Sequence, residues 1–323
     1  MSWVQVSNKM DPILKAILLS WDWKIEVIVV LALAGTLYSR GWWQLRQRAG
    51  GADRYQRTER SRWRLVVTWR LVAYWAGLFF IALALLSPID ALGQQLFFMH
   101  MVQHLLLIMI APPLLLIANP MPFVLWGLPT RLRRKVGGLF SQALHRESGF
   151  RRWLRKLTQP GIVWMLWVIS LIGWHDPNMY NAALRYEWVH NVEHLSFFIA
   201  SMLLWWHLTG AGPRIHKQFG LLGRIGLVVS VIPPNMMTGV VLAFAEQGYY
   251  SYYETVPRLW GFDVLMDQQL GGLIMWVPGS MMYIVAALIL IGRFLSQEDR
   301  KPPLPQAQWA SPEAASAPGL KQL

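Results

Sequence analysis

Apolar positions along the chain are gathered into long runs, and polar positions fill the gaps between them. Seven runs stand out, at roughly 24–39, 66–86, 95–118, 158–175, 188–208, 221–244 and 267–292. Each is about long enough to cross a ~30 Å hydrocarbon layer as a helix. A strand edge or loop in lipid would leave backbone groups unpaired, so helix is the predicted form of every run. The expected fold class is all-α: a polytopic membrane protein of seven transmembrane helices occupying 1–295, followed by a flexible Pro-rich cytoplasmic tail over 296–323. The first run is short and has Glu26 near its start. The fourth is bracketed by Pro160 and His175, so it must draw on the basic segment ahead of it to reach full length. Pro112–Pro113 and Pro233–Pro234 fall inside runs three and six, where each pair removes backbone donors and is expected to kink its helix.

The charge in the gaps orients these runs. Segments 40–70, 119–158, 209–224 and 293–323 fall on one side of a seven-span layout and hold 25 of the 30 basic residues. The other side has only Lys9, Lys15, Lys24, Arg185 and Arg258, with Asp90, Asp176, Glu187, Glu246, Glu254 and Asp263 in its loops. The positive-inside rule then places the N-terminus outside and the C-terminus in the cytoplasm. A net charge of +13 would suggest nucleic acid in a soluble chain, but distributed this way it reads as topology, and no nucleic-acid partner is expected. Basic and apolar residues interleave through 127–158, as in an amphipathic stretch resting on anionic lipid.

Composition agrees with this layout. Side chains are 54% hydrophobic and 15% charged, against roughly 25% charged in soluble domains. Nineteen Trp suit the two lipid–water boundaries. With no Cys, disulfides, thiolate metal sites and CxxC chemistry are excluded, so any metal must be held by His, Met, Asp or Glu. The N-terminus lacks the ordered features of a cleavable signal peptide, and insertion is expected to be driven by the spans themselves.

Histidine carries the candidate chemistry. His100 and His104 open span three, and His190 and His194 open span five. An i,i+4 pair shares one helical face. Both spans run inward from outside, so the two pairs lie at similar depth and together could offer four nitrogens to one ion. Imidazole suits copper, zinc or iron and brings no negative charge into the membrane. The alternative is that these are polar residues joining helices. Asp267 opens span seven at the same level, where it could neutralise an ion or accept an imidazole N–H. Gly271 and Gly272 would admit close approach of another helix, including one bearing His. Glu193 is rotated ~100° from His194 and is expected to face elsewhere. Met236 and Met237, after the second proline pair, are weaker candidates to converge on the site. His207, about 20 Å further along the axis than His194, is expected to be an interfacial anchor, and His145 and His216 surface residues. No Walker A, GxGxxG, GxSxG or HExxH pattern is present.

HMVQH at 100–104, the proline pair at 112–113 and NPMPF at 119–123 occur in order. WHDPNMYNAAL at 174–184, HNVEHLSFF at 190–198 and DQQLGGLIMWVPGSMMY at 267–283 follow them. Together these segments resemble the polytopic CtaG family of cytochrome c oxidase assembly factors over roughly 66–295. The resemblance implies a non-enzymatic role in forming active heme-copper oxidase in the bacterial plasma (inner) membrane. It implies copper ligation by His100, His104, His190 and His194, with Asp267 as ligand or support. The implied partners are oxidase subunits, a soluble periplasmic copper carrier and membrane lipid. Zinc fits the donor set as well as copper. The competing readings are a heme-binding redox protein, with heme iron held by histidines of two helices, a metal transporter, and a metal-free scaffold for oxidase subunits. Transport is disfavoured by the apolar run below each histidine pair.

Overall fold

The computed structural model describes residues 20–50, 67–213, 215, 216 and 219–300. Lys9 and Lys15, the Arg-rich stretch 51–66, Arg214, Lys217 and the Pro-rich tail from 301 lie outside the described residues. The helices are α1 (Ile25–Gly50), α2 (Thr68–Leu86), α3 (Pro88–Gly93), α4 (Phe97–Leu105), α5 (Ala111–Ile117), α6 (Pro120–Gly127), α7 (Thr130–Ala143) and α8 (Gly149–Leu157). They continue with α9 (Pro160–Trp174), α10 (Pro177–Arg185), α11 (Glu187–Thr209), α12 (Leu221–Ala243), α13 (Tyr252–Thr255), α14 (Val264–Ile274) and α15 (Ser280–Glu298). One π-helical turn, Leu106–Ile110, joins α4 to α5, and another, Met275–Gly279, joins α14 to α15. No strand occurs among the described residues.

Five helical stretches among the described residues are long and apolar enough to cross a membrane: Ile25–Arg48, Thr68–Leu86, Phe97–Ile117, Leu221–Ala243 and Val264–Glu298. A sixth results if α8 and α9, bent by 53° at their junction, form one span. The bend has a local cause, because Pro160 starts α9 and cannot continue the helix before it. At 23 residues α11 is long enough, but His190, Glu193, His194 and His207 lower its apolarity. The first helix continues to Gly50, well past the expected end near 39. Its added turns are amphipathic, and Arg46 and Arg48 lie over the rings of Trp42 and Trp126. The last helix reaches Glu298, a few residues beyond the expected domain end. Within 127–158 the chain forms α7 and α8, which have no buried residue and expose Leu139, Phe140, Phe150 and Trp153 beside their arginines.

Contacts at their ends show that the long helices alternate in direction. Lys24, ahead of α1, pairs with Asp90 of α3, just past the end of α2. The start of α4 meets Asp267 of α14. His207 near the end of α11 bonds the Thr158 carbonyl ahead of α9, at 2.8 Å.

Proline tightens the bundle where the histidine helices meet. Pro112 has no N–H, so the Ile108 carbonyl loses its usual intrahelical partner. Ser201 Oγ at 2.5 Å and Trp205 Nε1 at 3.0 Å, both from α11, donate to that oxygen. These bonds fix the register of α11 against α4–α5. Similarly, Pro234 frees the Ser230 carbonyl, which accepts from Trp164 Nε1 at 3.2 Å. Small residues bring other pairs together. A Cβ on Gly272 would lie 2.4 Å from Ala243 N of α12, and one on Gly271 would lie 2.2 Å from the Phe97 ring of α4. Gly271 therefore faces the helix that carries His100 and His104.

Candidate metal centre

The four histidines at the starts of α4 and α11 come together. His100 and His104 rings are 4.3 Å apart between centroids, and His190 and His194 are 4.1 Å apart. Across the helices, His100 lies 5.2 Å from His190 and 5.7 Å from His194, and His104 lies 5.2 Å from His194. All four are buried.

Glu193 is the fifth member. Its carboxylate is fully buried, with Oε2 3.8 Å from His100 Nε2 and Oε1 3.7 Å from His104 Nε2. Donor atoms of His100, His190, Glu193 and His194 all lie within 4.8 Å of one another. The expectation that Glu193 faces elsewhere is corrected by its spacing from the other histidine. Glu193 is three residues after His190, so 190, 193 and 194 share one face.

Asp267 stands outside this donor set. One carboxylate oxygen accepts from Phe97 N at 2.9 Å and the other from Phe98 N at 3.0 Å. Arg258 Nη2 adds an ion pair at 2.8 Å. The residue ahead of α4, Leu96, offers no side-chain cap. Asp267 therefore supplies from another helix the acceptor that the orphan N–H groups of the first turn require. Its place is in holding the histidine helix, not in facing the rings.

The opposite side of α4 is held by Gln103, whose Nε2 donates to Ala84 O at 2.9 Å and Asp90 Oδ1 at 2.6 Å. Asp90 Oδ2 in turn pairs with Lys24 at 2.7 Å. An aromatic roof of Phe97, Tyr180, Tyr250 and Tyr253 closes the end beyond His100. Burial pushes the Tyr180 and Tyr253 hydroxyls well above the ordinary tyrosine range, so both remain protonated. Neither tyrosine was among the expected site residues. Each is on a loop helix and has no periodic signal tying it to the spans.

Met236 and Met237 are substantially exposed on α12 and do not approach the rings. Met101, Met109 and Met275 instead line a cavity of about 40 Å³ beneath His104, beside His175. His216, expected at the surface, bonds Thr158 Oγ1 through Nε2 at 2.8 Å.

The donors fit a metal ion. His100 Nε2, both nitrogens of His104, His194 Nε2 and both oxygens of Glu193 are buried without a hydrogen-bond partner. A buried polar atom left unpaired costs about 1–3 kcal/mol, more when charged. These four side chains, with His190 packed against them, would be satisfied together by a cation. Imidazole nitrogen and carboxylate oxygen suit copper and zinc.

Residues 36–297 match the family model described as cytochrome c oxidase caa3 assembly factor (Caa3_CtaG). Uncharacterized proteins of Mycobacterium bovis and Mycobacterium tuberculosis are each 26% identical to the chain over 241 residues. One of Mycobacterium leprae is 24% identical over 246 residues. These alignments take in 72% of this chain and 35–36% of the relatives. The chain thus spans about a third of the length of the curated relatives it matches. No solved structure matches.

Proposed function

Because the chain belongs to the cytochrome c oxidase caa3 assembly factor family, we propose that it binds copper in the His100–His104–His190–Glu193–His194 cluster and assists insertion of that ion into the oxidase. The observation carrying this reading is the buried cluster in which His100, His104, Glu193 and His194 hold donor atoms without hydrogen-bond partners, with His190 beside them. Copper is cargo in this reading: it is accepted from a soluble periplasmic carrier and passed to an oxidase subunit, with no substrate bond made or broken. Zinc would satisfy the same donors, and copper is preferred because the family serves an enzyme with copper centres.

We also assign all seven long helical rods to membrane crossings in the bacterial plasma membrane, with the N-terminus outside. The basic residues ahead of and within α7 and α8 support this orientation, since they belong to the end of the bundle away from the histidines. The cluster then lies in the outer part of the bilayer. His194 also lines a groove between α1 and α11 together with Lys24 and Asn191, which gives the site a side facing away from the bundle core. The heme alternative meets a steric objection. His104 and His194 pack edge to face at 5.2 Å, leaving no slot between them for a flat macrocycle.

The test is the copper content of the host's oxidase. In cells whose own copy is replaced by His190→Ala/Glu193→Ala, purified oxidase is expected to show a copper-to-heme ratio lowered as far as in the deletion strain. Excess copper in the medium should restore it. Fully loaded oxidase from cells with normal membrane levels of the variant would overturn the proposal.

A further inference from the structure

The hydroxyl groups above the cluster form a chain whose polarity can be worked out from its far end. A carbonyl oxygen only accepts, so the Tyr253 hydroxyl, 2.9 Å from Gly93 O, donates there. A phenol has one proton. In the 3.0 Å contact between the two hydroxyl oxygens, Tyr253 must therefore accept and Tyr180 must donate. The Tyr180 proton is then committed, and its oxygen can only accept in the 2.7 Å contact with His100 Nδ1. That nitrogen must carry the hydrogen. Any other polarity leaves two hydroxyl oxygens in contact with no proton between them, or leaves the Gly93 carbonyl without its donor.

We infer that Tyr180 and Tyr253 are positioning residues that lock His100 in the Nδ1–H tautomer, so that the lone pair on Nε2 faces the cluster. This inference rests on the copper reading only in naming Nε2 as a ligand atom. The tautomer itself is a property of the metal-free protein.

The geometry around the ring shows the consequence. His100 Nε2 is buried, lacks a hydrogen-bond partner and lies 3.8 Å from Glu193 Oε2. A proton on Nε2 would point at the carboxylate and occupy the position a metal needs, leaving the lone pair turned away toward Tyr180. Which nitrogen of an imidazole is protonated is set by the hydrogen bond made by the other one. Here that bond leads through two phenols to a backbone carbonyl, a terminus that cannot change its polarity.

The supports of this chain are local and rigid. Tyr180 stands on α10, whose start is capped by Asp176 accepting from Asn178 N and Met179 N. Tyr253 stands on α13, with its ring edge-on to Phe97. Gly93 brings its backbone against His100: a Cβ there would sit 3.3 Å from the His100 Cα and 3.2 Å from Gln103 Oε1.

Tyr253 does not hydrogen-bond His100, which makes Tyr253→Phe the informative variant. It deprives the Tyr180 proton of its acceptor, so the hydroxyl is free to turn and donate to His100 Nδ1. Solid-state NMR of metal-free protein with ¹⁵N-labelled histidine is expected to show His100, assigned by its loss in His100→Gln, protonated at Nδ1 in the wild type. In Tyr253→Phe the signal should move toward the Nε2–H form, and copper affinity should weaken by about tenfold, the lower end for loss of a partner behind a metal-bound histidine. An Nε2–H ring in the wild type would overturn the inference without reference to any variant. An unchanged Nδ1–H ring in Tyr253→Phe would overturn the role of Tyr253. If the tautomer shifts as expected but the wild type binds no copper, the tautomer lock stands and the copper reading fails.

Discussion

Copper bound per chain is expected to fall from about one to near zero when His100 and His194 are both replaced by alanine. These two rings are central to the cluster. His100 lies within 5.7 Å of each of the other three imidazoles, and His194 likewise. Their removal leaves His104 and His190 on separate helices with one carboxylate. The register of those helices is held independently by Ser201 and Trp205 on the Ile108 carbonyl, so the bundle should survive the change. Metal analysis after equilibration with buffered copper provides the measurement. Unchanged stoichiometry in a folded double variant would remove these residues from the donor set.

Asp267→Ala is expected to act on the fold itself. It removes the carboxylate partner of Arg258, which is 23% exposed and keeps hydrogen bonds to the Gln95, Tyr253, Phe262 and Asp263 carbonyls. With the guanidinium still partly solvated, this loss falls below the about 3–5 kcal/mol of breaking a fully buried pair. The N–H groups of Phe97 and Phe98 lose their acceptor as well. Denaturation of the metal-free protein in detergent should therefore show the full loss, with Asp267→Asn intermediate because it keeps one acceptor. Normal metal-free stability combined with lost copper would instead make Asp267 a ligand.

Much of this molecule can be read from its sequence because lipid enforces simple rules. Apolar run length located the long helices, and the i,i+4 spacing of His100/His104 and His190/His194 placed both pairs on faces that do meet. The family assignment suggested by the ordered motifs is the one the chain bears out. What escaped the sequence has physical causes. Glu193 is rotated away from its neighbour His194, but its i+3 spacing from His190 puts it on the shared face. An acid at the depth of Asp267 suggests a chemical role because it is costly there, yet the unsatisfied start of α4 is an equally strong demand for a carboxylate. Helix α1 runs on past its apolar stretch, and there Arg46 and Arg48 lie over the rings of Trp42 and Trp126, contacts that apolar run length does not reveal. The Tyr180–Tyr253 chain depends on contacts between loop helices up to 160 positions from Gly93 in sequence, beyond the reach of any local pattern.

X-ray absorption at the copper edge of the copper-loaded wild-type protein tests the central claim most directly. The cluster predicts a first shell of nitrogen and oxygen at about 2.0 Å, with the outer-shell multiple scattering of at least three imidazole rings, lost in the His100→Ala/His194→Ala protein. A first shell dominated by sulfur, or one without imidazole scattering, would contradict it.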